Sequence, residues 1–302
     1  MPVNDELGKR MKEFYEQIPK AKLMRRTPVI IRIDGKAFHT FTKGFQKPFD
    51  EILIKTMQET TKYLCENIHG CVLGYTQSDE ITLVLVDYQK FETAAWFDYE
   101  VQKMCSITAS MATMAFNRIF QENINEWGRE HLPGFDDGGT NEEVDDKLLN
   151  LFEVYSNSAY KGAMFDARVF NIPKEEVTNC IYWRQLDASR NSIQMVGQAN
   201  FSHKELQNKS CNAIQDMLMT QKGINWNDFP TYQKRGSCVI KEDYFEPCEN
   251  GKEVKFPEGC SDPYEDDEIE YGTWRTRWFI DKEIPIFRNE GREYIENLIN
   301  FD

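Results

Sequence analysis

The chain has 302 residues, of which 40% are hydrophobic and 28% charged, and its formal net charge is −14. This is the composition of a globular protein and excludes an intrinsically disordered one. No apolar run is long enough to span a bilayer, and the charged start MPVNDELGKRMKEFYEQ lacks the apolar core of a signal peptide, so we expect a cytoplasmic protein with no membrane contact.

The charge is unevenly distributed. Residues 136–153 carry a net charge of −6 and residues 258–270 a net charge of −7, and both segments are expected to be surface loops. Residues 1–47 instead carry a net charge of +6. The negative total argues against non-specific nucleic-acid binding, whereas the basic N-terminal part permits a local phosphate-binding face.

The eight cysteines form no CxxC pair, and no cysteine–histidine cluster resembles a zinc site. Several of them lie in apolar helical or strand contexts. We therefore expect reduced, mostly buried thiols rather than disulfides.

The first half alternates between helical and strand patterns. Apolar spacing predicts a helix over 5–19, and the alternation in VIIRID predicts a strand over 28–34 with one face in the core. Asp50 is a candidate cap of a helix that ends near Asn67. The strands CVLGYT and ITLVLVD, joined by QSDE, form a predicted hairpin.

A long helical pattern follows from about Glu92 to Trp127, and after an acidic Gly/Asp-rich stretch comes the strand FDARVFNI. The resulting order, strand, helix, strand, strand, helix, strand, is the βαββαβ arrangement of ferredoxin-like α+β folds and of the polymerase palm. The second half is predicted to be mostly helical, over 173–185, 186–200, 203–208 and 210–221. The strand RGSCVIK, the second acidic segment, WRTRWFI and a terminal helix follow.

Four regions are expected: a palm-like catalytic core, an acidic insertion, the remaining core with helical fingers-like elements, and a C-terminal extension. They span residues 1–133, 134–162, 163–245 and 246–302.

Two acidic positions stand at strand ends. Asp34 closes the first strand, and Asp79 and Glu80 lie in the hairpin connection. In a βαββ arrangement these carboxylates come close, which is tolerable when a divalent cation such as Mg²⁺ lies between them. Gly35, without a Cβ, would let the backbone approach a metal or phosphate. Each feature alone is typical of an ordinary turn, and their conjunction favours a metal site.

Phosphate binding needs further cations and backbone N–H groups. Lys36 and His39 follow Asp34, Lys47 precedes the helix cap, and Lys103 lies on the long helix. Neither the Walker motif GxxxxGK[ST] nor GxGxxG is present, and the four scattered histidines do not support a Ser-His-Asp hydrolase.

Seven motifs in order resemble the tRNA(His) guanylyltransferase-like family of 3′-to-5′ nucleic acid polymerases. They are RIDGKAFHTF, KPFD, GYTQSDEITLVL, FDARVFNIP, YWRQLDASRNSI, FSHKELQNKS and YQKRGSCVIK. The resemblance covers about residues 5–240. It implies a palm domain, two Mg²⁺ ions, nucleoside triphosphate substrates including ATP and GTP, tRNA as partner, and a homotetramer.

The resemblance also implies roles for single residues. Asp34 and Asp79 would bind metal with the Gly35 carbonyl, and Glu80 would support that catalytic centre. Arg190, Asn191 and Lys209 match positions near the substrate. The nucleotide would be bound by Asp34, Gly35, Lys36, Ala37, Phe38, His39, Lys47, Ser78, Asp79 and Lys103.

One segment departs from the eukaryotic members, which carry His-Ile-Asn-Asn after the WRQxD motif. Here the matching segment is Ser189-Arg190-Asn191-Ser192, the pattern of the bacterial-type like proteins. The resemblance therefore favours template-dependent repair of truncated tRNA 5′ ends. The alternative is addition of a single G to tRNA(His).

Other readings remain open at this point. A palm-type nucleotide cyclase would use the same carboxylates, a non-catalytic tRNA-binding protein would need none of them, and a structural protein would use the acidic loops as a partner surface. The WRTRWF segment offers Trp274, Arg275 and Trp278 for stacking on RNA bases, although an amphipathic strand with core tryptophans is favoured.

Overall fold

The computed structural model describes residues 5–135, 145–247 and 272–301. Six strands form one sheet in the order β4-β1-β3-β2-β5-β6, and every neighbouring pair is antiparallel. The strands are β1 (Val29–Gly35), β2 (Cys71–Gln77), β3 (Glu80–Leu85), β4 (Phe165–Asn171), β5 (Ser237–Pro247) and β6 (Gly272–Asp281).

Ten α-helices lie within the described ranges. They are α1 (Glu6–Met11), α2 (Phe38–Phe41), α3 (Glu51–Asn67), α4 (Val101–His131), α5 (Asp146–Lys161), α6 (Val177–Asn200), α7 (His203–Leu206), α8 (Cys211–Lys222), α9 (Thr231–Arg235) and α10 (Glu293–Ile299).

The predicted ferredoxin-like core is confirmed. Strand β1, helix α3, the β2–β3 hairpin, helix α4 and strand β4 follow the βαββαβ order, and their strands pair as 4-1-3-2. Alternation along β1 divides its residues between two cores. Ile31 and Ile33 pack with Phe116 of α4 in one core, and Ile30 packs with Ile181 of α6 in the other. Arg32 and Asp34 therefore lie on the α6 face of the sheet.

Two helix predictions were wrong in extent. Helix α6 is continuous from Val177 to Asn200, where two helices were predicted, because its buried positions continue past residue 186 without a break. Helix α4 begins at Val101 rather than near Glu92, because Phe97, Asp98 and Tyr99 have positive φ and cannot continue a helix.

Helix α5 was not predicted, because its acidic start looked like part of a loop. Asp145 caps it by accepting a hydrogen bond from the Lys147 N–H, and Tyr155 is buried against α4. Residues 136–144 and the second acidic segment, 258–270, lie outside the described residues.

The helix predicted over 5–19 is helical from Glu6 to Glu16, and its apolar residues Leu7, Met11 and Phe14 are exposed. In β6, Trp278 packs against the core between the sheet and α3, as the favoured reading of WRTRWF required. The six described cysteines are free thiols, and Cys248 and Cys260 lie outside the described residues. Among the described residues, no helix is both long and apolar enough to cross a bilayer.

Candidate active site

The carboxylates singled out in the sequence meet at one end of the sheet. In the register of β1, Asp34 lies opposite Glu80 on β3 and opposite Asp166 on β4. The Gly35 N–H donates to the Asp79 carbonyl at 3.1 Å, which ties the end of β1 to the hairpin. Asp166 was missed, because the predicted ferredoxin-like order places β4 beside β1 but does not give the register that sets Asp166 opposite Asp34.

In two of these carboxyl groups, the surroundings destabilise the ionised form. Burial, followed by the negative charges of Glu80 and Asp166, raises the pKa of Asp34 above its ordinary value. Burial also raises the pKa of Asp79, although the hydrogen bond from Ser78 Oγ at 3.0 Å opposes this. Among the described residues, neither carboxylate forms an ion pair with a lysine or arginine within 4.0 Å. A bound cation would therefore stabilise the ionised form of both groups.

Glu80 has a different environment. Its Oε2 lies 2.6 Å from Arg184 Nη2 and accepts from Gln77 Nε2 at 3.0 Å, and its Oε1 lies 3.4 Å from Arg32 Nη2. These partners neutralise the charge of Glu80 and hold it in place. Glu80 is thus arranged to position its neighbours rather than to serve as a free metal ligand.

The donor set fits Mg²⁺. Asp34 and Asp79 offer two carboxylates that form no ion pair within the described residues, and the Gly35 carbonyl follows Asp34 directly in the chain. The described residues contain no group of three or more His, Cys, Asp or Glu side chains suited to a metal. The two carboxylates suit Mg²⁺, which takes one or two protein carboxylates and leaves its remaining positions to water and substrate phosphates.

Gly35 has a packing role in addition to any metal role. A Cβ at this position would lie 2.2 Å from Cδ2 of Phe38, whose ring packs against Phe41, Phe116 and Phe165. Phe38, predicted to contact the nucleotide, thus belongs mainly to the core. Ala37 precedes it with a left-handed backbone (φ 55°), and the Lys36 N–H donates to the Met164 carbonyl at 2.8 Å.

A cavity of about 360 Å³ is lined by Asp79, whereas Asp34 does not line it. This volume lies within the range of small-molecule sites. Its lining includes five residues predicted from the sequence, namely Phe38, His39, Lys47, Ser78 and Asp79. Thr42, Gln46, Met195 and Gln198 also line it and were missed, because their contribution depends on how α6 packs beside the α2–α3 loop.

Asp50 stabilises the conformation of the α2–α3 loop. Its carboxylate accepts from the Gln46 N–H at 3.0 Å, from the Leu53 N–H at 3.0 Å and from the Tyr155 hydroxyl at 2.7 Å. The predicted cap of α3 is therefore confirmed. The same side chain also links the Lys47 loop to α5.

The substrate-near residues on α6 and after α7 lie along the same groove. Asn191 lines a second cavity with Gln77 and Ser78, and Lys209 lines a third with His203 and Gln198. Residues shared between neighbouring cavities connect all three, since Ser78 and Met195 line the first two and Gln198 lines the first and third. Arg190 is exposed and ion-paired with Asp187.

Within one chain, Lys103 is not brought to this site. Its ammonium lies 4.8 Å from the centre of the Phe97 ring, near the start of α4. Thr113 marks the part of α4 that lies level with the carboxylates, because its hydroxyl accepts a hydrogen bond from the Phe165 N–H. Ten residues of helix separate the two positions, which is about 15 Å along the axis.

The profile of the tRNAHis guanylyltransferase family matches residues 8–173, more than half of the chain. The chain belongs to this family. Its members are nucleotidyltransferases of tRNA processing, so the protein is an enzyme of that class. Family membership also favours this enzyme class over the three alternatives that the sequence left open: a nucleotide cyclase, a non-catalytic tRNA-binding protein and a structural protein.

Solved and curated relatives agree with this family assignment. A bacterial tRNA(His) guanylyltransferase-like protein in complex with ATP is 40% identical, with a TM-score of 0.71 over 98% of this chain and 100% of that chain. One in complex with GTP is 38% identical, with a TM-score of 0.66 over 97% and 99%. The tRNA(His) guanylyltransferase of Debaryomyces hansenii is 24% identical over 250 residues, covering 78% of this chain and 82% of that protein.

Proposed function

We propose that this enzyme adds nucleotides to the 5′ end of truncated tRNAs, in the 3′-to-5′ direction, with the opposing strand selecting the base. One observation carries the proposal. The segment 189–192, which departs from the eukaryotic family pattern, lies on α6, where Asn191 and Ser192 line the cavity that also contains Ser78. A branch-specific difference in sequence therefore faces the space where substrates would meet.

The proposed reaction has two stages. The RNA 5′ end is activated by adenylation with ATP or already carries a triphosphate. The 3′-hydroxyl oxygen of an incoming nucleoside triphosphate then bonds to the 5′ phosphorus and loses its proton, and AMP or pyrophosphate departs. Because both reactants carry several negative charges, positioning and charge neutralisation are the main tasks of the protein.

Different residues of the chain would carry out charge neutralisation and positioning. Asp34 and Asp79, with the Gly35 carbonyl, would hold two Mg²⁺ ions, which offset phosphate charge and align the attacking and leaving oxygens when bound. Lys47 and His39, on the wall of the cavity, would bind triphosphate oxygens. Asn191 and Lys209 would contact the RNA farther along the groove. The structures of bacterial relatives with ATP and with GTP support nucleotide binding at this fold.

The resemblance to the family further supports a homotetramer, RNA binding and a cytoplasmic location as parts of the same proposal. The competing function is addition of a single G to tRNA(His), which the names of curated relatives favour.

The decisive experiment supplies the enzyme with Mg²⁺, ATP and each labelled nucleotide in turn. The substrate is a tRNA lacking its 5′ nucleotide, made in four forms that differ only in the opposing base. Addition that follows the opposing base supports templated repair. Addition of G alone, restricted to tRNA(His), would replace the proposal with the guanylyltransferase function.

A further inference from the structure

Trp183 is an exposed tryptophan on α6, with 52% of its surface open to solvent. The chain has six tryptophans, all within the described ranges, and the other five are buried or half-buried. A half-exposed indole forgoes part of the free energy that its full burial would contribute to folding. Its position therefore points to a partner outside the chain.

Two arginines hold the Trp183 ring. The Arg184 guanidinium carbon lies 4.5 Å from the ring centre, and that of Arg32 lies 5.2 Å from it. Both arginines are themselves fixed, because both are ion-paired with Glu80. The indole thus has a defined position, which lowers the entropy cost of stacking another ring against it.

The indole lies beside the candidate reaction centre. Arg32 precedes Asp34 by two residues on β1, so both side chains lie on the same face, about 7 Å apart along the strand. On β4, Arg168 lies opposite Arg32 and Asp166 opposite Asp34, and both of these β4 side chains are exposed. Trp183, Arg32 and Arg168 thus form an aromatic and cationic strip alongside the carboxylates.

This strip is separate from the nucleotide cavity. Trp183, Arg32 and Arg168 do not line any of the three connected cavities described above. A surface with an aromatic face, guanidinium groups and a nearby phosphoryl-transfer site suits the base and phosphate of an RNA terminus.

We propose that Trp183 stacks on the terminal nucleobase at the RNA 5′ end and so places the 5′ phosphate beside Asp34 and Asp79. This inference rests on the proposed function, because it needs an RNA 5′ end as substrate. It assigns the stacking role to α6 rather than to Trp274 and Trp278 of β6.

The chain provides a matched control. Leu186 lies three residues farther along α6, is 51% exposed and is apolar but not aromatic. The full-length variants Trp183→Ala, Trp183→Phe and Leu186→Ala are compared for binding of a 5′-truncated tRNA and, separately, of ATP. Loss of one base-stacking contact corresponds to a dissociation constant for RNA raised about tenfold in Trp183→Ala. Trp183→Phe should restore most of the affinity, and ATP binding and Leu186→Ala should be unchanged.

A second measurement reports stacking directly. With 2-aminopurine as the 5′-terminal base, binding to the wild-type enzyme should quench its fluorescence, and Trp183→Ala should lose that quenching. Trp183→Leu, which keeps apolar bulk without an aromatic face, should behave like Trp183→Ala. It provides the test if the alanine variant does not fold.

Three results would overturn the inference: RNA affinity unchanged in Trp183→Ala, an equal loss in Leu186→Ala, or an altered oligomeric state by sedimentation without an RNA effect. The last would make the indole a protein interface. A wild-type enzyme that binds ATP but neither binds nor extends the tRNA would instead overturn the proposed function itself.

Discussion

Arg184 of α6 and Glu80 of β3 form an ion pair, with 2.6 Å between Nη2 and Oε2, and the arginine side chain is only 5% exposed. Glu80 lies opposite Asp34 in the sheet, so this pair fastens α6 to the strand pair that carries the candidate metal site. Arg184 also pairs with Asp187 one turn along the same helix, at 2.7 Å. Helix α6 in turn supplies Asn191 and Met195 to the cavities.

Replacing Arg184 tests this connection. Arg184→Met removes a buried cation from two carboxylates, and breaking a buried pair in this way costs about 3–5 kcal/mol of unfolding free energy. Arg190→Met is the matched control, because Arg190 pairs with the same Asp187 but is exposed, and it should cost at most about 1 kcal/mol. Urea unfolding measures both variants. Equal losses would show that the buried position of Arg184 has no special importance.

Gly35→Ala is expected to destabilise the protein and reduce transfer. The added methyl group would lie 2.2 Å from the Phe38 ring, and overpacking of this kind costs about 1–3 kcal/mol. The double variant Gly35→Ala/Phe38→Leu should recover part of the lost stability, because the smaller side chain makes room. If stability is not recovered by thermal unfolding, the conflict lies elsewhere than between these two residues.

Asp79→Asn is expected to abolish transfer while raising the melting temperature of the metal-free protein at neutral pH. The reason is that burial, with a smaller contribution from the negative charge of Asp34, raises the pKa of Asp79, so the ionised carboxylate destabilises the fold at neutral pH. Addition of Mg²⁺ should stabilise the wild type and should stabilise the variant less. The control is Asp216→Asn, because Asp216 is an exposed residue of α8 that lines none of the three cavities, and this variant should leave transfer unchanged. Near-normal transfer by Asp79→Asn would remove Asp79 from the metal site.

Lys47 and Lys103 should differ in their effect on nucleotide binding. Lys47 lines the main cavity, whereas Lys103 lies near the start of α4, about 15 Å along that helix from the part level with the site. Lys47→Ala should weaken ATP binding by about 1.5–3 kcal/mol, the contribution of hydrogen bonds to charged groups, and Lys103→Ala should leave it unchanged. Titration calorimetry distinguishes them. A large effect of Lys103→Ala would mean that another subunit brings this lysine to the site.

Asp50→Ala should destabilise α3 and also weaken nucleotide binding. The variant leaves two backbone N–H groups and the Tyr155 hydroxyl without an acceptor, and loss of a cap alone costs about 0.5–2 kcal/mol. Tyr155→Phe removes only one of the three hydrogen bonds and should cost about 1 kcal/mol, with ATP binding preserved. If both variants lose the same stability, the Asp50 contacts to the backbone contribute little.

The palm core could be predicted from the sequence because its signals are local. The alternation in VIIRID, the two strands around QSDE and the Asp50 cap are each contained within a few residues, and all three appear in the structure as predicted. Two predictions failed because a local sequence pattern was misleading. The acidic start of α5 concealed a helix, and the exposed stripe of the N-terminal helix had the spacing of a buried one.

By itself, the sequence determined the βαββαβ order of the palm core and the family, and it singled out Asp34 and Asp79 as candidate metal ligands. Only the tertiary structure decided that Asp166 joins them, that Arg184 holds Glu80, that Lys103 lies far from the cavity and that Trp183 is exposed. The physical reason is distance along the chain. Strand pairing between β1 and β4 and the docking of α6 on the sheet bring together residues more than a hundred positions apart, and no periodicity within a single element records such contacts.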